Sequence, residues 1–205
     1  MEYLVTMTTH VPDGTPMEAV EGIRSREAAR SHELAAKGHL LRLWRPPLQP
    51  GEWRTLGLFA SADQGRLEDV LASMPLHVWR TDEITALTPH PNDPASPTTP
   101  SAEAVEFLTT FTLTVPEGTA VETVDDTTAH EARRATELAE EGHLLRLWML
   151  PGQGRALGLW QARDEAEMQA ILQSLPLNAL MTVETVPLSE HPSDPAITAR
   201  AHQGF

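Results

Sequence analysis

Two glutamates in this sequence lie where a carboxylate could do chemistry. Glu27 comes seven residues after Val20 and seven before Leu34, and Glu131 repeats the arrangement 104 residues later. Because seven residues take an α-helix through almost two full turns, each glutamate shares a helix face with apolar neighbours. A carboxylate on such a face is costly unless it is paired, hydrated or protonated. The pattern therefore indicates either a buried ion pair or a functional acid–base group.

The ion-pair explanation needs a basic partner, and the acid–base explanation needs a pocket; the sequence is compatible with each. An ion pair could form with Arg30 and Arg134, one helical turn further on, or with Arg42 and Arg146 on the strand that follows. A general base would instead lie in a pocket between helix and sheet, where burial raises the pKa of the carboxyl above its usual range. The pattern by itself leaves both explanations open.

The strand that follows the long helix carries an arginine and a tryptophan. Side chains alternate along a strand, so Leu41 and Leu43 should face one way. Leu40, Arg42 and Trp44 should then face the other way. The arginine could bind an anionic or carbonyl-bearing ring by charge-assisted hydrogen bonds, and the indole could stack on that ring. The same residues could equally be structural, since a symmetric interface also needs repeated residues.

The candidate site residues form two groups. As catalytic residues the sequence predicts Glu27, Glu131, Arg42, Arg146, His39 and His143. As substrate-binding residues it predicts Trp44, Trp148, Trp79 and Tyr3. The two histidines begin equivalent strands, and a histidine that titrates near neutral pH could shuttle a proton.

Several classes of site are absent from the sequence. There is no cysteine, which excludes thiolate nucleophiles, disulfides and thiol-ligated metals. The nine histidines contain no His-x-His and no His-Glu-x-x-His pattern, so we predict no metal. Gly-rich phosphate loops and Gly-x-Ser-x-Gly elbows are absent as well, and we predict no cofactor.

The charge of the chain limits its partners. Net charge is −14, from 29 acidic and 15 basic side chains without a basic cluster, so nucleic acid and anionic membranes should be repelled. The N-terminus has no basic stretch before an apolar run, and nowhere do about 18 apolar residues follow one another. We therefore expect a cytoplasmic protein whose partner is a small-molecule substrate. Assembly of the chain into a homo-oligomer is compatible with these features.

The chain contains one module of about 90 residues twice. A shift of 104 places lays Glu2–Trp44 on Glu106–Trp148 without a gap, and about half of the pairs are identical, which chance does not produce. The predicted domains are a first module at 1–94, a Pro/Ser/Thr-rich linker at 95–104, a second module at 105–195 and a tail at 196–205.

Within one copy the pattern predicts the order strand, helix, strand, strand, helix, strand. Thr15 and Glu18 could form a capping box at the start of the long helix, Gly38 should end it, and Asp63 should cap the second helix. The resulting βαββαβ order is the ferredoxin-like split motif, whose sheet needs a cover on one face. The predicted fold class is therefore α+β, with two ferredoxin-like modules packed sheet to sheet as an intramolecular dimeric α/β barrel.

A fixed order of landmarks runs along the first copy. The landmarks are the start Glu2–Thr8, the helix that holds Glu27 and ends at Gly38, Leu43-Trp44-Arg45, Leu58-Phe59, Met74-Pro75-Leu76 and His90-Pro91. This order resembles the muconolactone isomerase family over residues 1–94 and, more loosely, over 105–195. The resemblance implies a cofactor-free proton shift that moves a double bond within a small unsaturated lactone, on a ferredoxin-like fold that assembles through dimers.

That implied chemistry can be placed on the candidate residues. Glu27 and Glu131 would take a proton beside a carbonyl and return it elsewhere. An arginine or histidine of the catalytic group would stabilise the dienolate-like charge. Two alternatives stay open: a cyclase or other tailoring enzyme for a larger natural-product intermediate, and a non-catalytic small-molecule-binding or assembly protein. The copies differ at Arg26 against His130, His77 against Asn178 and Trp79 against Leu180, so one half could be silent.

Overall fold

The computed structural model describes residues 1–94, 100–101 and 103–197. By their internal contacts these residues form two compact units. Unit 1 contains residues 1–87 and the described residues from 189 onward, and unit 2 contains the described residues from 88 to 188. The ends of the two repeats are thus exchanged, because the segment after residue 87 belongs to unit 2 and the segment after residue 188 belongs to unit 1.

Unit 1 has the predicted βαββαβ order. Its elements are β1 (Glu2–Thr9), α1 (Met17–Ala36), β2 (Leu40–Arg45), β3 (Arg54–Ala60), α2 (Gln64–Ala72), a 3₁₀ helix (Pro75–Trp79) and β4 (Arg80–Pro89). The strands pair antiparallel in the order β4-β1-β3-β2. The 3₁₀ helix between α2 and β4 was not predicted.

The ends of the helices follow partly from local sequence. At the end of α1, Gly38 has φ of +72°, and the N–H groups of Gly38 and His39 donate to the carbonyls of Ala35 and Leu34, the hydrogen bonds of a Schellman motif. Asp63 caps α2 as predicted. The predicted capping box is wrong, because the Thr15 hydroxyl donates to a carbonyl in the preceding turn and α1 begins without a side-chain cap.

Strand β2 departs from regular alternation. A β-bulge lies between Leu40 and Arg42. Since a bulge adds one residue to a strand, Leu40 and Leu43 come onto the same face, where both join Leu34 in the core of unit 1. The predicted grouping of Leu40 with Arg42 and Trp44 is therefore wrong. The second repeat has its bulge at the equivalent place.

Unit 2 repeats the same architecture. Its elements are β5 (Val105–Leu113), α3 (Val121–Glu140), β6 (Leu144–Met149), β7 (Arg155–Ala162), α4 (Glu165–Gln173), a 3₁₀ helix (Asn178–Leu180) and β8 (Met181–Glu190). The strands pair antiparallel in the order β8-β5-β7-β6. Asp164 caps α4 just as Asp63 caps α2.

The ends of β4 and β8 complete the sheet edges. In unit 1 the last residues of β8, Ser189 and Glu190, pair with β2. In unit 2 the last residues of β4, Thr88 and Pro89, pair with β6. The predicted fold class, α+β with two ferredoxin-like modules of the dimeric α/β barrel type, is confirmed.

The predicted domain bounds stay predictions. Residues 95–99 and 102 of the predicted linker, and residues 198–205 of the predicted tail, lie outside the described residues. Within the described part of the chain, no helix combines the length and apolar character that a membrane span requires.

Candidate active site

Glu27 lies on the buried side of α1 and is engaged on both carboxylate oxygens. Its Oε2 accepts a hydrogen bond from the Leu76 backbone N–H at 2.8 Å, and its Oε1 accepts one from Arg80 Nη1 at 3.1 Å. The side chain is only 13% exposed. Burial raises the pKa of Glu27, and Asp82 raises it further, whereas the Leu76 N–H and Arg80 oppose the shift. Glu27 therefore binds a proton more tightly than an ordinary glutamate.

Arg80 is fixed in place by a second carboxylate. Its Nε and Nη2 donate to the two oxygens of Asp82 at 2.6 and 3.0 Å, a bidentate pair, and Nη2 also donates to the carbonyl of Leu71. The Arg80 side chain is 2% exposed. The ion-pair explanation thus holds for Glu27 with a partner other than those predicted, since Arg30 instead bonds to Glu33 and Ser73.

A cavity of about 270 Å³ adjoins this carboxylate in unit 1. Its wall combines charged and hydroxyl side chains with a few apolar ones: Glu27, Arg80, Arg24, Arg45, His191, Thr9, Ser25, Ser31, Thr55, Ser193, Trp53, Met7 and Leu43. The guanidinium of Arg24 stacks over the Trp53 ring at 5.5 Å. The cavity therefore offers an apolar surface, several hydrogen-bond donors and one carboxylate with a raised pKa.

One wall of this cavity comes from the turn that follows β8. In this turn His191 Nδ1 accepts a hydrogen bond from the Ser193 backbone N–H at 3.1 Å. Burial and the positive charge of Arg45 lower the pKa of His191 to about 4, with Asp194 opposing and Arg24 adding to the shift. His191 is therefore a neutral imidazole at physiological pH.

Asp194 anchors the same turn to β2. Its fully buried carboxylate accepts hydrogen bonds from Arg42 Nε and Nη2 at 3.1 and 3.0 Å and from the Leu43 backbone N–H at 3.2 Å. The Arg42 guanidinium also lies over the Trp44 ring at 4.8 Å. Asp93 holds Arg146 and the Leu147 N–H of unit 2 in the same way.

Unit 2 keeps the glutamate and loses its polar surroundings. Glu131 Oε2 accepts a hydrogen bond from the Leu177 backbone N–H at 2.9 Å, the counterpart of the bond between Leu76 and Glu27. Burial raises the pKa of Glu131, and only the Leu177 N–H is identified as opposing that shift. At the position of Arg80 the second repeat has Met181, and at the position of Asp82 it has Val183.

The unit 2 counterparts of several cavity residues pack into a hydrophobic core. Phe111 and Ala135, which replace Met7 and Ser31, are buried members of that core. Ala156 and Met181, which replace Thr55 and Arg80, are partly buried against it. Arg24 and Arg45 correspond to Thr128 and Met149.

The sequence of each half also matches a known family. A family model described as Muconolactone delta-isomerase matches residues 1–93 and again residues 105–194. The chain belongs to the muconolactone delta-isomerase family. Both the resemblance and the tandem duplication are thereby confirmed.

Curated members of the family match one module at a time. Muconolactone Delta-isomerase 1 of Acinetobacter lwoffii is 30% identical over 92 residues, which cover 45% of this chain and 93% of that protein. Muconolactone Delta-isomerase of Rhodococcus opacus is 33% identical over 70 residues, which cover 34% of this chain and 75% of that protein. These relatives support an isomerase-type function.

Some solved structures of other proteins match nearly the whole chain. Chlorite dismutase from Candidatus Nitrospira defluvii has a TM-score of 0.61 and 11% identity, over 97% of this chain and 95% of that chain. At this identity the likeness concerns the fold alone.

The structure places the other predicted catalytic residues of the muconolactone delta-isomerase modules away from the cavity wall. Arg42 and Arg146 are held by Asp194 and Asp93 as described above. His39 lies 3.4 Å from the Ala60 carbonyl through Nδ1, and His143 lies 3.1 Å from that of Gln161. None of these four side chains lines the unit 1 cavity. Their catalytic roles stay predictions.

The predicted substrate-binding residues are mostly core residues. Tyr3, Trp44 and Trp148 are at most 2% exposed, and Tyr3 belongs to the hydrophobic core of unit 1. Trp79 is half-buried at the end of its 3₁₀ helix and does not line the cavity. Their roles in binding a substrate likewise stay predictions.

Three cavity residues with evident chemical potential were missed by the sequence reasoning, and a fourth, His191, was interpreted as the end of the last strand. In the sequence alignment of the two repeats, Arg80, Arg24 and Arg45 each correspond to an uncharged residue. This difference in charge could have identified them as candidate site residues. The signal was not usable for His191, because His90 matches it in the first repeat. Only the exchange of the repeat ends brings His191 to the cavity that contains Glu27.

Proposed function

We propose that unit 1 catalyses a cofactor-independent isomerisation of a small unsaturated lactone, or of a related enolisable carbonyl compound, with Glu27 as the acid–base residue. The observation that carries this proposal is a buried carboxylate with a raised pKa in the wall of a cavity that also contains several hydrogen-bond donors. Membership of the muconolactone delta-isomerase family supports the reaction class.

In the proposed reaction Glu27 moves one proton between two carbon atoms. The ionised carboxylate removes a proton from the saturated carbon at one end of the allylic unit next to the carbonyl, and the electron pair of that C–H bond delocalises through the double bond onto the carbonyl oxygen as a dienolate. The protonated Glu27 then gives the same proton to the far end of the conjugated system. The double bond has shifted, the carboxylate is restored, and no oxidant or reductant takes part.

The raised pKa of Glu27 suits this cycle. A base must be ionised when it takes the proton, yet its conjugate acid must hold that proton long enough to deliver it elsewhere. Burial raises the pKa of Glu27 towards the working pH, while Arg80 keeps the ionised form accessible. The acid limb of kcat/KM should therefore lie above the pH range in which an ordinary glutamate titrates, which is near about 4.3.

The size of the cavity favours the small-lactone hypothesis over the larger natural-product intermediate. Pockets that enclose drug-sized ligands have volumes of roughly 300–1,000 Å³. The unit 1 cavity, at about 270 Å³, lies below that range. We therefore propose a substrate with about one five-membered ring and a short substituent.

Glu27→Gln tests this proposal directly. With muconolactone as substrate, the wild-type protein should shift the double bond, whereas E27Q should lose about 10²–10⁴-fold in kcat. Glu33→Gln is the matched control, because Glu33 lies on the same helix but is 60% exposed and bonds to Arg30. If E27Q turns over at the wild-type rate, Glu27 is not the base. If the wild-type protein binds the lactone without shifting its double bond, it is the non-catalytic binder.

A further inference from the structure

The cavity of unit 1 is lined by a second titratable side chain besides Glu27. His191 is supplied by the turn after β8, whereas Glu27 is supplied by α1, and both line the same cavity. Apart from the arginines, these two side chains are the titratable groups among the described residues of the cavity wall. The proposed reaction uses Glu27 and leaves the developing negative charge on the substrate oxygen without an assigned donor.

The tautomer of His191 follows from its hydrogen bond. Nδ1 accepts from the Ser193 backbone N–H at 3.1 Å, so the lone pair lies on Nδ1. In a neutral imidazole the proton must then be on Nε2, which makes Nε2 a donor. The groups that influence His191 from the surrounding elements are Arg24 on α1, Arg45 on β2 and Asp194 in its own turn. Together with burial, the two arginines disfavour a second proton on the ring.

The ring is also held firmly. Pro192 restricts the backbone after His191, and the buried Asp194 carboxylate ties the turn to Arg42 and to the Leu43 N–H of β2. A donor fixed before the reaction costs no reorganisation when charge develops on its acceptor, which is the condition for effective electrostatic stabilisation.

Arg80 is less suited to this task. Its guanidinium already donates to Glu27, to both oxygens of Asp82 and to the Leu71 carbonyl. Arg24 and Arg45 are exposed residues, and the Arg24 guanidinium is already stacked over the Trp53 ring. A neutral N–H donor also preserves the raised pKa of Glu27, whereas another cation beside the carboxylate would lower that pKa.

We infer that His191, as the Nε2–H tautomer, is a catalytic residue that donates a hydrogen bond to the substrate carbonyl oxygen while Glu27 moves the proton. This inference rests on the proposed function of Glu27. His191 keeps its proton throughout: the hydrogen bond to the carbonyl oxygen shortens as the dienolate forms and relaxes as Glu27 returns the proton to carbon.

The turn itself is present in both units, which provides a matched control. His90 Nδ1 accepts from the Asn92 backbone N–H at 3.1 Å, the same bond as in the unit 1 turn. A purely structural role would therefore apply equally to His90 and His191. A catalytic role applies to His191 alone, because it shares a cavity with Glu27.

Three variants separate these roles. In His191→Asn the amide oxygen can still accept from the Ser193 N–H, but the Nε2–H donor is gone. In His191→Gln the amide nitrogen reaches the position of Nε2 and supplies a donor again. His90→Asn makes the structural change in unit 2 only. With muconolactone we expect H191N to lose about 10²–10³-fold in kcat with little change in KM, H191Q to recover part of that loss, and H90N to stay within about twofold of wild type.

The outcomes distinguish this inference from the proposal on which it rests. If E27Q is inactive while H191N and wild type have the same kcat, the inference is overturned and the role of Glu27 stands. If E27Q is active, the proposed function fails first. The ¹⁵N spectrum of His191 in the wild-type protein is a readout independent of turnover: a neutral ring protonated on Nε2 at pH 7 supports the inference, and an imidazolium or an Nδ1–H ring overturns it.

Discussion

The two units share a fold and a glutamate, but they surround that glutamate differently. In unit 1, Glu27 meets a buried arginine that is itself paired to Asp82. In unit 2 the corresponding positions hold Met181 and Val183, both partly buried against the hydrophobic core. The same α-helix position therefore supports an ion-pair network in one unit and a carboxylate at the edge of an apolar core in the other. A duplicated module can keep its frame while only one copy keeps the groups that chemistry needs.

The aromatic packing shows the same division. In unit 2 the Phe111 ring meets Trp160 edge-on, with centroids 6.2 Å apart and planes at 68°. The equivalent pair in unit 1 is Met7 and Phe59, and Met7 lines the cavity. The two positions thus hold bulkier aromatic side chains in unit 2 than in unit 1. These side chains favour a close-packed core in unit 2 over an open cavity. The Nε1 of Trp160 is buried without a hydrogen-bond partner among the described residues.

Exchanging the residue that most distinguishes the two units should have a large effect. Arg80→Met places the unit 2 residue in unit 1, leaving Glu27 and Asp82 without their shared cation. We expect kcat/KM to fall about 10–100-fold and the acid limb of its pH profile to move to higher pH, because Arg80 lowers the pKa of Glu27. Breaking this buried network should also destabilise the protein by about 3–5 kcal/mol. The kcat/KM values and the pH profile should therefore be measured well below the melting temperature of the variant.

The reverse exchange is the control for that experiment. Met181→Arg places a cation near Glu131 but leaves Phe111, Ala135 and Ala156 in the space of the unit 1 polar residues. Activity should stay within about twofold of wild type. An M181R protein with clearly more than wild-type activity would show that unit 2 needs only one residue to work, and the contrast between the units would fail.

The anchoring carboxylates should show a smaller contrast. Asp194→Asn removes the charge that holds Arg42 and the His191 turn, and the Asp194 side chain is fully buried. We expect about a tenfold loss of kcat and a cost of about 3 kcal/mol in the free energy of unfolding. Asp93→Asn, in the more exposed pair of unit 2, should lower stability less and leave kcat unchanged. Equal losses of activity in D194N and D93N would contradict a special role for the unit 1 turn.

The smallest effect concerns stability and pH in unit 2. Since burial raises the pKa of Glu131 in the folded chain, this residue binds a proton more tightly when folded than when unfolded. Its favourable contribution is fully present below the unfolded pKa of about 4.3 and is lost as the pH rises through the folded pKa. Glu131→Gln removes this loss of stability at higher pH, because the glutamine does not ionise. Its amide oxygen can still accept a hydrogen bond from the Leu177 N–H. E131Q should therefore melt about 2 °C higher than wild type near pH 7, with no gain near pH 4, by calorimetry. A lower melting temperature at pH 7 would contradict this.

Much of the architecture was predictable because it depends on local sequence and on repetition. The glycine at the end of α1, the aspartate caps of α2 and α4 and the alternating strands have local causes, and the repeat doubles each signal. The bulge in β2 was not predictable, since one extra residue changes the faces of a strand without changing its composition. Thr15 was misjudged because a turn carbonyl competes for its hydroxyl.

The site was predictable only where one helix face determined it. The inward position of Glu27 followed from helical periodicity. Its partner did not, because Arg80 is 53 residues away and meets Glu27 only in the folded unit. The place of His191 in the cavity was even harder to predict, because the sequence at the end of a strand does not indicate which sheet that end joins. The repeat offered a contrast instead: positions that are charged in one copy and uncharged in the other include the three arginines of the cavity wall.

The most direct test of the central claim compares the two glutamates under identical conditions. The kcat of E27Q, E131Q and the double variant should be measured with muconolactone at saturating concentration. If unit 1 alone works, E27Q should lose about 10²–10⁴-fold, E131Q should stay within about twofold of wild type, and the double variant should match E27Q. If instead each single variant keeps about half of the wild-type kcat and only the double variant is inactive, both units are active and the account is wrong.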